Sequence, residues 1–155
     1  MQHVLLSTRL QASADRVWEE VNTPRLLMFV ASPVLRFDLV EPLVLPDQWE
    51  ERDYRFRLRF YGRLPLGEQT GRVSRPQPEG LKRYVRDNGF SALIRRWDHL
   101  ITIEPDGNGT LYSDWIEIEA GPLTPFVAAF ARRFYAHRQR RWHQLVAADF
   151  KYPAA

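Results

Sequence analysis

Trp97-Asp98-His99-Leu100-Ile101-Thr102-Ile103-Glu104-Pro105-Asp106-Gly107-Asn108-Gly109-Thr110-Leu111-Tyr112-Ser113-Asp114-Trp115-Ile116-Glu117-Ile118-Glu119 reads as a pair of alternating runs around one turn signal. Gly107-Asn108 is a two-residue hairpin turn, built from residues that tolerate left-handed backbone. If Asp106 faces Gly109, Ile101 lies opposite Asp114 and His99 opposite Ile116. Ile101 and Ile103 then share a face with Ile116 and Ile118, while Thr102, Glu104, Glu117 and Glu119 share the other. A slip of one residue would spoil that match. The face that takes the isoleucines also takes Trp97, His99, Tyr112 and Asp114.

Downstream, Gly121-Pro122 ends the sheet and a long helix begins. Phe126, Val127, Phe130, Phe134, Leu145 and Val146, with Trp142 alongside, recur near the helical period. From Leu123 to Asp149 such a helix spans roughly 40 Å at 1.5 Å per residue, enough to cross a whole sheet. Upstream, residues 3–11 read as a strand. Ser13 is an N-cap and Asp15 suits the positive end of a helix striped by Val17, Trp18 and Val21. Pro24 opens a second short helix, Arg25 to Val30, closed by Pro33.

A strand around Leu35, Phe37 and Leu39 follows. The clearest strand is Tyr54-Arg55-Phe56-Arg57-Leu58-Arg59-Phe60, with Tyr54, Phe56, Leu58 and Phe60 on a dry face and the arginines on a wet one. Further strands are expected over 67–75 and 81–87, the latter ended by Asn88-Gly89.

The order of elements is strand, two short helices, about six antiparallel strands, long helix. It resembles the helix-grip fold of the START-like superfamily, also called SRPBCC, which includes pollen-allergen-like proteins, lipid-transfer domains and polyketide cyclases. Ala12-Ser13-Ala14-Asp15-Arg16-Val17-Trp18 looks like that superfamily's approach to its first helix. Trp97-Asp98-His99, then Gly107-Asn108-Gly109-Thr110 and Asp114, look like the last hairpin of a bacterial subgroup. The resemblance covers nearly the whole chain. It implies one α+β domain over residues 1–155, with a curved antiparallel sheet of about seven strands (β-α-α-β6-α) wrapped around the C-terminal helix. It also implies a deep cavity between sheet and helix. It does not name an activity, because such folds host carriers, sensors and enzymes alike.

Within that frame the expected walls are Phe56, Leu58, Phe60, Trp97, Ile101, Ile116, Phe130 and Phe134. His99 and Asp114 form the polar anchor, diagonal to one another on the ladder. A buried carboxylate needs a partner, and histidine supplies one. An Asp–His pair prepares a base, and it equally satisfies two buried polar groups. Tyr84 and Tyr112 are further polar-tipped candidates. Arg86 is expected to face solvent. Arg132, Arg133, His137, Arg138, Arg140, Arg141 and His143 make the long helix basic, which reads as a solvated outer face; Arg138 and His137 lie near its inner edge.

Composition narrows the classes. The 155 residues fit one domain, and 13% aromatic content supplies large apolar walls. There is no cysteine, which excludes disulfides and thiolate chemistry. His3, His99, His137 and His143 form no close-spaced ligand set, so neither a metal nor a cofactor is expected. No apolar run is long enough to span a bilayer, and Met1-Gln2-His3-Val4-Leu5-Leu6 does not read as a secretory signal, so a cytoplasmic protein is expected. The net charge of +3 is too small an excess to single out nucleic acid.

The leading expectation is a protein that binds or carries a small apolar or aromatic molecule, as monomer or homodimer. The rival is a polyketide cyclase or dehydratase type of enzyme using His99 and Asp114 as catalytic acid/base. A third reading is an interaction module, lipid- or nucleic-acid-associated through the basic helix.

Overall fold

Alternation of apolar and polar side chains drives the middle of the chain into strands, and the computed structural model, which describes residues 1–154, shows them in one sheet. In chain order the elements are β1 (Gln2–Leu10), α1 (Ala14–Val21), α2 (Pro24–Ala31), β2 (Leu35–Glu41), β3 (Asp53–Phe60), β4 (Leu64–Ser74), β5 (Arg83–Ser91), β6 (Arg96–Asp106), β7 (Gly109–Glu119) and α3 (Thr124–Ala147). A 3-10 turn, Gly121–Leu123, leads into α3. The sheet has seven strands in the order β1-β7-β6-β5-β4-β3-β2. Every pairing in it is antiparallel. It is the curved sheet and long helix that the sequence led us to expect.

The last hairpin takes the expected register: His99 pairs with Ile116, Ile101 with Asp114, and Asp106 with Gly109. The first helix is capped by Ser13 as read, and Thr23 caps the second. Ser13 Oγ accepts from Arg16 N at 3.2 Å, and Thr23 Oγ1 from Leu26 N at 3.4 Å, with Pro24 in the first turn. Such a cap contributes about 1 kcal/mol. On the outer face of β3 the arginines meet acids of neighbouring strands: Arg55 lies 3.1 Å from Glu68 and Arg59 lies 3.4 Å from Asp38.

Two boundaries differ from the sequence reading by three residues or more. β5 runs on through Asn88-Gly89 instead of ending there. Gly89 serves close approach, since a Cβ on it would lie 3.2 Å from Thr70 O and 3.3 Å from Trp97 O. β4 begins at Leu64, straight after a tight turn in which Tyr61 and Gly62 take positive φ.

The long helix is also rotated from the expected stripe. Thr124, Ala128, Ala131, Phe134, Tyr135, Arg138, Gln139, Trp142 and Leu145 are its buried positions, whereas Phe126 is 74% exposed. Small residues at Ala128 and Ala131 let α3 lie close against Val4 and Ile116, and Phe126 stands at the rim. Nor is the basic run simply a solvated face. Arg141 stacks 3.8 Å from the Phe29 ring and donates to Phe29 O, while His137 Nε2 lies 2.8 Å from Ser32 O. These contacts pin α3 to α2. Arg132, Arg133 and Arg140 remain exposed.

The interior divides along the helix. Leu10, Val17, Ile103, Tyr112, Trp142 and Leu145 fill one end. Toward the other end, Trp49, Tyr54, Phe56 and Leu58 form a separate aromatic-rich group on the curved half of the sheet. Between that group and α3 the packing opens. Among the described residues, no helix is long and apolar enough to cross a membrane.

Candidate ligand cavity and its polar pole

The opening is a cavity of about 720 Å³ between the inner face of the sheet, α2 and the first half of α3. Its walls come from the dry faces of β3 and β6, where a period of two aims alternate side chains inward. Phe56, Leu58, Phe60, Trp97, His99 and Ile101 border it from the sheet, and Phe130 and Phe134 from the helix. Trp49 and Tyr54 add walls that sequence reasoning did not place in it. Trp49 sits in a loop without periodicity, so nothing in its neighbourhood announced an inward side chain. Exposed Leu64, Leu66, Leu93, Leu123 and Phe126 rim the mouth.

Other expected contacts lie elsewhere. Ile116 and Tyr112 are fully buried and do not border the cavity; Ile116 packs under Ala128 and Ala131, and Tyr112 lies 5.2 Å from the Trp142 ring. The helix comes too close to the sheet there to leave space. Tyr84 pairs with Thr102 on the outer face, because Val85 opposite Ile101 and Asp87 opposite His99 take the inward parity of β5. Its ring sits beside the Lys82 ammonium. Arg86 shares that outer face, where its Nε donates to Asp98 Oδ1 at 2.9 Å.

The polar pole is built around Asp114. This carboxylate is fully buried and stands behind His99, reaching the cavity only through it. His99 Nε2 lies 2.7 Å from Asp114 Oδ1, the diagonal contact the register requires. Tyr112 OH donates to the same oxygen at 3.1 Å, and Gln139 Nε2 donates to Oδ2 at 3.1 Å. Burial works to raise the Asp114 pKa, but the His99 hydrogen bond, with Arg138 and Gln139, holds it below the ordinary value. Burial depresses His99, against the pull of Asp114.

The pair therefore rests as carboxylate and neutral imidazole at pH 7. An ionised carboxylate only accepts, so Nε2 carries the proton and Nδ1 keeps a lone pair. The His99 ring lies 4.7 Å from that of Tyr135, whose hydroxyl accepts from Trp97 Nε1 at 2.8 Å.

Two charged residues complete the pole. Asp87, opposite His99 on β5, borders the cavity and accepts from Arg72 N at 2.9 Å. Burial pushes its carboxyl up to about 6. Arg138 borders the cavity from α3 and is 6% exposed. Sequence reasoning set Arg138 near the inner edge but missed Asp87. The signal for Asp87 was its place two residues beyond the inward Val85, legible only once the β5–β6 register is known. The described residues contain no acid and histidine cluster able to hold a metal ion.

No protein-family model matches the sequence. No curated protein sequence matches it either. Solved structures do match. A protein of Chromobacterium violaceum is 17% identical, with a TM-score of 0.66 over 93% of this chain and 96% of that one. A START superfamily protein from Mycobacterium smegmatis is 15% identical, with a TM-score of 0.63 over 94% and 97%. Norcoclaurine synthase from Thalictrum flavum, solved in complex with dopamine and hydroxybenzaldehyde, is 14% identical, with a TM-score of 0.65 over 98% and 89%. At these identities the likeness is one of architecture, and the chain has the helix-grip fold of START-like proteins.

Proposed function

We propose that this protein binds a small hydrophobic or aromatic molecule in the cavity between its sheet and α3. The observation that carries the reading is the cavity itself: about 720 Å³, walled by Phe56, Leu58, Phe60, Trp97 and Phe134, with Asp87, His99 and Arg138 among its few polar groups. Ligand sites have this form and size, apolar walls with a few converging polar groups in roughly 300–1,000 Å³. The aromatic ligands in the norcoclaurine synthase structure are consistent with it, since that protein shares the fold.

N-phenyl-1-naphthylamine, a neutral fluorescent probe, is expected to bind with a dissociation constant in the micromolar range. Leu58→Trp, which fills the cavity from β3, is expected to weaken binding at least about tenfold, as loss of roughly 1.4 kcal/mol requires. Fluorescence titration of both folded proteins measures this. Folded wild type that ignores the probe, or a variant that binds it equally well, would remove the reading.

A second reading is favoured by one feature of the pole. His99 is held by Asp114 through Nε2, which leaves the Nδ1 lone pair on a ring that borders the cavity. An oriented neutral imidazole can take a proton from carbon next to a carbonyl, as a cyclase or dehydratase requires, with Asp114 steadying the imidazolium that forms. The protein is then expected to speed deuterium exchange into the methyl group of 2-acetylnaphthalene in D2O. His99→Gln should lower that rate by roughly 10²–10⁴-fold while binding persists. Proton NMR measures the exchange, and a wild-type rate no faster than buffer rejects this reading.

A further inference from the structure

Arg138 stands apart from the other charged groups of the interior. It is one of the buried charged residues, at 6% exposure, and it takes part in no ion pair among the described residues. Its Nε is buried without a hydrogen-bond partner. The acids nearby are occupied. Asp114 already takes His99, Tyr112 and Gln139, and Asp87 takes a backbone N–H. What the protein gives Arg138 directly is aromatic: its guanidinium carbon lies 5.1 Å from the Tyr135 ring centre and 5.9 Å from that of Phe134. A guanidinium does not lose its proton in proteins. A buried cation with no carboxylate in direct contact, only ring faces and the Tyr112 hydroxyl close by, is an expensive feature for a fold to keep.

Arg138 also borders the cavity, next to Phe134 and Tyr135 and across from His99 and Asp87. We propose that the molecule held in the cavity is an apolar carboxylic acid, with its carboxylate received by Arg138 and its apolar body against Phe56, Leu58 and Trp97. This rests on the ligand-binding reading above and adds the chemical class. The planar fork of arginine matches a carboxylate, and a charge-assisted hydrogen bond out of water is among the stronger polar contacts. A single negative charge fits better than two. Asp87 and Asp114 both act on Arg138 through space, so a dianionic phosphate would meet two carboxylates with one cation to offset it. A cationic amine would meet Arg138 with repulsion.

The test uses matched probes of one shape: 2-naphthoate, 2-naphthamide and 2-naphthylmethylamine, titrated calorimetrically at pH 7.5. Wild type is expected to prefer the acid over the amide by roughly tenfold to hundredfold. In Arg138→Met, which keeps the apolar stem, acid and amide are expected to bind alike, with the amide near its wild-type affinity. Equal binding of acid and amide to wild type, a preference for the amine, or a preference for the acid that survives in the variant would overturn the carboxylate assignment and leave the cavity reading standing. Failure of all three probes to bind would take both down.

A second measurement needs no variant. The carboxyl carbon of 13C-labelled 2-naphthoate, followed by NMR, should titrate at lower pH when bound than when free. A bound acid that titrates no lower than the free one would contradict its contact with a cation.

Discussion

Alanine in place of Asp114 is expected to lower the unfolding free energy by about 3–5 kcal/mol. The carboxylate is fully buried and is the common acceptor for His99, Tyr112 and Gln139. Removing it leaves those buried donors without their acceptor, and each unsatisfied group costs about 1–3 kcal/mol. Gln139 keeps one contact, since its Nε2 also donates to Leu6 O at 2.9 Å, which limits its share of the loss. For a chain of this length the melting temperature should fall by roughly 6–20 °C. Asp114→Asn should lose less, because its amide oxygen still accepts from His99 or Tyr112. Urea titrations of wild type and both variants at pH 7.5 measure the order. A loss below about 1 kcal/mol for alanine would show that the neighbours re-pair without the carboxylate.

Asp87 should behave in the opposite sense. Burial raises its carboxyl from an ordinary 3.8 to about 6, so the folded protein holds the proton more tightly than the unfolded chain does. Between those values the native state binds more protons, and stability therefore falls as pH rises. Above about 6 the whole penalty applies, and below 3.8 it vanishes. The gap corresponds to roughly 3 kcal/mol at most. The side chain keeps some exposure toward the cavity, and water there relieves part of the burial. Asp87→Asn, which retains an oxygen for Arg72 N, is thus expected to stabilise the protein by roughly 1–3 kcal/mol at pH 7.5 and by nothing near pH 4. Urea titrations at the two pH values decide it. A gain of equal size at both would mean that charge is not its cause.

How much of this could be read from residues alone depends on how each element announces itself. The last hairpin was legible because a period of two and the Gly107-Asn108 turn jointly leave one workable register. That register put His99 diagonal to Asp114, and the contact is there at 2.7 Å. β5 was not legible in the same way. Its run of Arg83, Tyr84, Val85, Arg86 and Asp87 carries polar groups on both faces, so parity comes only from pairing with β6. Gly89 compounded the error, because glycine marks a turn and a close backbone approach with the same letter. In α3 the helical period set Arg138 near the inner edge of an otherwise basic face, and that arginine is the buried one. Phe126 misled because a large apolar residue at helical spacing is normally core, and here it forms part of a mouth.

The placement of β1 beside β7 sets the timetable of folding. Leu10 pairs with Thr110 and Gln2 with Ile118, so β1 finds its neighbour only after every strand between them exists. Contacts so distant in sequence are slow to close, because the entropy of the intervening loop is lost before the ladder rewards it. On a ribosome, β1 therefore waits until β7 has emerged, with Val4 and Leu10 lacking the partners that later bury them. β2 to β6 can zip locally as each emerges. The edge they leave open is paired by β7, and the pocket has all its walls only once α3 lies across the sheet.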